Sequence, residues 1–118
     1  MKSYTDLEQS RKLADILPLE SADMYYINSS VGKIHIGGWK DEMHDEDDIP
    51  CWSLAALLEV LLNPKIYLAI GGKWHCECWK YVKDVKRDES SYIGCTKASN
   101  PVDACVDMIE KLHELKML

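Results

Sequence analysis

Ile49-Pro-Cys-Trp-Ser-Leu-Ala-Ala-Leu-Leu-Glu-Val-Leu-Leu62 is the most apolar run of the chain. Leu54, Leu57, Leu58 and Leu61 recur at i, i+3, i+4 and i+7, the spacing that gathers side chains on one helical face. Between Trp52 and Leu62 only Ser53 and Glu59 are polar, so nearly every side of this helix reads as buried. A bilayer span needs about 20 apolar residues, and this run falls well short. The reading is a central core helix over about residues 50–62. Pro50 suits its first turn, where a backbone N–H would have no partner anyway, and Asn63-Pro64 ends it.

The rest of the chain arranges itself around that core. A length of 118 residues, 47% hydrophobic and 29% charged, predicts one globular domain over 1–118. No Phe is present, so large aromatic packing falls to Trp39, Trp52, Trp74, Trp79 and six Tyr. Upstream, Thr5-Asp-Leu-Glu8 has the form of a capping box. A helix from Asp6 to about Leu17 follows, halted by Pro18. Met24–Ile27 and Lys33–Ile36 read as short strands joined by Asn28-Ser-Ser-Val-Gly32, which carries hairpin chemistry.

Downstream, parity fixes the register of a hairpin. Ile66, Leu68 and Ile70 share one strand face, and Trp74, Cys76 and Cys78 share one face of the next strand. A two-residue Gly71-Gly72 loop would set these rows on opposite faces, whereas an odd loop, Ile70-Gly71-Gly72, pairs Leu68 with Trp74 and unites them. The odd loop with a left-handed glycine is therefore expected. That second strand runs to about Val82, a third lies around Ser91–Thr96, and Asn100-Pro101 opens a terminal helix with Val102, Cys105, Ile109 and Leu112 as its stripe. The order α-β-β-α-β-β-β-α predicts an α+β domain, an antiparallel sheet with helices packed mainly on one face.

The function classes narrow from here. A formal charge of −6 argues against direct nucleic-acid binding, which needs local cation density. Lys80, Lys83, Lys86 and Arg87 are interrupted by Asp84, Asp88 and Glu89, the pattern of an ordinary exposed turn. Asp41 to Asp48 holds six carboxylates in eight residues. Read as a calcium loop from Asp41 it lacks the glycine at the sixth position and the glutamate at the twelfth. It reads first as a cap for the following helix. The alternative is that Asp41, Asp45, Asp47 and Asp48 mimic phosphates towards a basic partner, as in an inhibitor of a host defence protein.

Five cysteines, at 51, 76, 78, 95 and 105, make a poor disulfide framework, and the N-terminal residues lack the apolar core of a signal peptide. Reduced thiols and a cytoplasmic setting are expected. In His75-Cys-Glu-Cys78 one residue separates the cysteines, where a zinc knuckle has two to four. On a strand this spacing puts Cys76 and Cys78 on one face and His75 on the other. A zinc or thiol site of Cys76 and Cys78 joined by Cys95 stands as an alternative to the ordinary reading, that cysteine is a small buried hydrophobe. Phosphate-loop, dinucleotide and cysteine-protease signatures are absent, so no cofactor and no catalytic residue is expected. The remaining surface candidate is aromatic. Tyr25, Tyr67, Trp79 and Tyr81 are expected on the open sheet face, available to a protein partner or, through that face or a free edge strand, to a homodimer.

Three blocks also carry a resemblance: Tyr4–Ser10 through Ser21–Tyr26, Ile49–Leu58, and Asn100–Cys105. Together they resemble small uncharacterised proteins encoded by prophages and mobile elements of Bacteroidales. The likeness spans most of the chain, with the middle block its most specific part, and leaves out the His75–Cys78 hairpin. It implies an intracellular, phage-associated context and a non-enzymatic accessory role through protein interaction. The group has no established activity to carry over.

Overall fold

A computed structural model describes residues 2–27, 34–36, 48–61, 63–83 and 88–118, with backbone alone at 34–36, 80–83 and 88–91. The best-buried helix is the last. Asn100 caps it, its Oδ1 accepting the N–H of Asp103 at 2.8 Å, and Pro101 fills the first helical position. This helix, α3 (Pro101–Glu114), buries Val102, Ala104, Cys105, Val106, Met108, Ile109 and Leu112. The leucine-rich run expected to be central contributes a shorter helix, α2 (Leu54–Val60), which buries Ala56 and Leu57 and leaves Ala55 and Glu59 exposed.

The difference lies in what precedes α2. Ile49–Cys51 forms a strand, β3, antiparallel to β1 (Met24–Tyr26), with Pro50 opposite Tyr25. A proline at a sheet edge withholds no N–H that the ladder needs, so Pro50 serves the strand rather than the first helical turn. The helix begins later because Ser53 caps it: its hydroxyl accepts the Ala56 N–H at 3.2 Å and donates to the Asp23 carboxylate, which also takes the Ser53 N–H at 2.9 Å.

The first helix, α1 (Leu7–Ala14), starts one residue later than the capping-box reading. The reciprocal bonds run between Asp6 and Gln9, at 2.8 and 3.0 Å. Thr5 is buried and engaged elsewhere: its hydroxyl meets Ser10 Oγ at 2.7 Å and accepts the Trp52 N–H at 3.2 Å. Residues 3–5 thereby lie against 52–54, with Thr5 N–H on the Trp52 carbonyl at 2.9 Å. Lys2, Gln9 and Asn100 all donate to the Asp103 carboxylate, tying α1 to the start of α3. Burial works against ionisation of Asp103, yet these donors hold its carboxyl below the usual range.

The α+β class and the order α-β-β-α-β-β-β-α hold, with β3 as an added strand, and the strands form two antiparallel sheets rather than one. β1 spends its two edges on β2 (Ile34–Ile36) and β3, leaving no edge for the later strands. The second sheet runs β4 (Lys65–Leu68), β5 (Trp74–Lys83), β6 (Asp88–Ala98). Its first hairpin has the expected register, Leu68 opposite Trp74 and Ile66 opposite Cys76, with Gly71 and Gly72 at φ +110° and +82°. The core lies between α3 and the inner face of this sheet, joined by Leu13, Leu17, Trp52, Leu57 and Leu61.

Candidate functional site

Strand alternation divides β5. Trp74, Cys76 and Cys78 point into the core, where both cysteines are fully buried. His75, Glu77 and Trp79 belong to the outer face, and their neighbours across the ladder join them there. The Tyr67 ring lies 5.0 Å from that of His75, and its hydroxyl donates to Glu77 Oε1 at 2.8 Å. Trp79 meets Tyr92 edge-on at 5.2 Å, and Lys65 Nζ stands 5.3 Å from the Trp79 ring centre. Cys95 Sγ lies 3.7 Å from His75 Nδ1. The result is a row of aromatic rings with Tyr67 40% and Tyr92 53% exposed.

Of the aromatics expected on an open face, Tyr67 and Trp79 meet there. Tyr25 does not: it is 2% exposed, between Pro50 of β3 and His35 of β2 in the other sheet. β1 is the middle strand of that sheet, so a side chain there is covered where an edge residue would be open. Tyr81 lies in β5 opposite Ser90, with its side chain outside the described residues.

Tyr92 was not legible as a member of this row. The ladder slips between Cys78 and Trp79, so that Gly94 faces Cys78 and Tyr92 faces Trp79. An unbroken ladder would set Ile93 beside Trp79 on the outer face. The bulge turns Ile93 towards the core and brings Tyr92 outward. Strand propensity carries no sign of such an extra residue; the cue was Gly94, since a glycine within a strand often marks a bulge.

The thiols are divided by the sheet. Cys76 and Cys78 face inward, while Cys95 stands opposite Glu77 on the outer face, so the three do not converge. Among the described residues no group of three or more His, Cys, Asp or Glu is placed to hold a metal ion. No disulfide joins the cysteines. A hydrogen bond with Cys105, followed by burial, pushes the Cys76 thiol up to about 12, and burial raises that of Cys51. Both thus remain protonated at neutral pH, where a nucleophile or a metal ligand must be a thiolate.

The acidic candidates Asp41, Asp45 and Asp47 lie outside the described residues. Asp48 is 6% exposed and so contributes little to any charged surface. No described helix is long and apolar enough to cross a membrane. No family model, curated protein or solved structure matches the chain.

Proposed function

We propose that this chain works without catalysis, by binding another protein through the outer face of the β4–β5–β6 sheet. The observation that carries the reading is the gathering of Tyr67, His75, Trp79 and Tyr92 on one open face, with two tyrosines about half exposed. Tyr and Trp are enriched at the centres of protein interfaces, since each offers a large apolar surface with few torsions to freeze. Contiguous apolar surface left in water marks an interaction site more often than singly scattered residues do. Following the sequence resemblance, the setting we assign is a phage-associated role in the cytoplasm. The burial of Asp48 counts against a phosphate-mimicking acidic face, and the separation of Cys95 from Cys76 and Cys78 counts against a zinc centre.

Affinity capture from a Bacteroides lysate tests this with three baits: the natural chain, a Tyr67→Ser/Tyr92→Ser variant, and a Tyr4→Ser variant that removes an exposed tyrosine elsewhere. A specific protein retained by the first and third and lost from the second is the expected result. Capture of the same proteins by all three, or of none by the natural chain, overturns the reading.

A further inference from the structure

β4 is an edge strand: β5 pairs with one side, and among the described residues no strand pairs with the other. The direction of its main-chain groups follows from one bond. Ala69 N–H donates to the Lys73 carbonyl at 2.9 Å, so that pair is of the hydrogen-bonded kind. Pairs alternate along an antiparallel ladder, hence Lys65 and Tyr67 also turn their N–H and C=O towards β5. Ile66 and Leu68 turn theirs outward, as an unfilled template for another strand.

The side chains at this edge are of two kinds. On the inner side Ile66 packs against the core, while Leu68 is 56% exposed. On the outer side Lys65 and, at the hairpin, Lys73 are exposed, while Glu77 on the neighbouring strand is already engaged by Tyr67. This rim is cationic although the chain carries a formal −6.

We infer that the open edge of β4 takes an extended segment of a protein partner as an added strand, and that this segment alternates acidic with aliphatic residues. The inference rests on the reading of the β4–β5–β6 face as the binding surface, and names the partner's chemistry. An added strand has side chains on alternate faces. Its aliphatic residues cover Leu68 and Ile66, and its carboxylates lie along Lys65 and Tyr67. Its main chain meets the outward N–H and C=O groups of Ile66 and Leu68. A nucleic-acid strand uses none of those main-chain groups. A second copy paired edge to edge would bring two cationic rims together, where an acidic strand neutralises one.

Fluorescence anisotropy of a labelled peptide of alternating Glu and Val, titrated with the full chain, reads this directly. Saturable binding that weakens as salt rises is expected. Leu68→Pro removes an outward N–H while keeping the bonds to β5, and should abolish binding. Should that variant fail to fold, the same peptide N-methylated at its Val residues removes the same bonds from the other side and should not bind the natural chain. Lys65→Glu/Lys73→Glu should lower affinity about tenfold and shift preference to a peptide of alternating Lys and Val. Equal binding of both peptides by the natural chain overturns the inference, as does tighter binding of oligothymidylate. So does sedimentation showing a dimer of the natural chain that Leu68→Pro dissolves. Absence of peptide binding with the Tyr67- and Tyr92-dependent capture intact overturns the inference alone and leaves the interaction reading standing.

Discussion

The two faces of β5 share one backbone and differ in everything that water touches. Inward, Cys76 and Cys78 are fully buried and pack with Val102, Cys105 and Ile109 of α3. Outward, one residue along in each case, His75 and Glu77 meet a tyrosine hydroxyl, a second thiol and two lysine-bearing strands. A sequence that reads His-Cys-Glu-Cys invites a single chemical site. The pleat separates it into a core and a surface, because neighbouring residues on a strand never share a face. The same amino acid is thus a small hydrophobe at position 76 and a partly exposed thiol at position 95.

The largest way to break that contrast is to place a charge on each face in turn. Cys76→Asp would bury a carboxylate at a fully buried core position, and should cost about 4 kcal/mol or more, enough to unfold a marginal domain. Glu77→Gln, one residue away, should change stability by about 0.5 kcal/mol or less, as surface substitutions do. Urea denaturation of the two variants gives both numbers. Equal losses would mean that the alternation along β5 is not as described.

How much of this was legible beforehand follows the same physics. Hairpin parity worked because the order of residues must put Ile66 on the same buried side as Trp74, Cys76 and Cys78, which excludes the slipped register even though Leu68 stays exposed. The cap at Asn100 worked because Asn followed by Pro is specific to helix starts. The leucine-rich run misled because apolarity does not distinguish a helix from a buried strand: Ile49–Cys51 satisfies a strand as well as a first turn. Its place at the centre went to α3, whose apolar stripe is covered from β5, β6 and α2 together. The aromatic face was half legible. Tyr67 and Trp79 follow from alternation, Tyr92 depends on a bulge, and the burial of Tyr25 depends on a pairing of β1 with β3 that no local pattern announces.

A second test sharpens the contrast by kinetics rather than stability. In the native protein a thiol reagent should modify Cys95 first, while Cys51, Cys76, Cys78 and Cys105, all buried, wait for the chain to open. Opening of a core strand costs several kcal/mol, so the four should react at least about a hundredfold more slowly. Mass spectrometry of partially labelled protein assigns the order. A Cys95→Ser variant should show no fast-reacting thiol at all. Early labelling at Cys76 would place the inner face within reach of water and undo the division.

The smallest effect concerns a single hydroxyl on the outer face. Tyr67 donates to Glu77, and this bond, ahead of any desolvation, pushes its phenol up to about 12 from an ordinary value near 10. The bond exists only while the phenol is protonated, so its contribution to stability is complete below the unfolded value near 10. It fades as pH climbs towards 12, because the unfolded chain then gives up this proton more readily than the folded one. The phenols of Tyr26 and Tyr92 are raised as well, so the ultraviolet titration is read as the difference between the natural chain and Tyr67→Phe. That difference should show the Tyr67 step delayed to about 12, and Glu77→Gln should return it towards the ordinary range, since a neutral amide accepts the hydroxyl proton less strongly than a carboxylate. Tyr67→Phe should remove the Tyr67 step and lower Tm at pH 7 slightly, because the bond to Glu77 is lost there while the ring and its contact with His75 remain. If Glu77→Gln leaves that late step in place, Glu77 is not what holds the phenol, and the outer face of β5 is less ordered than its hydrogen bonds imply.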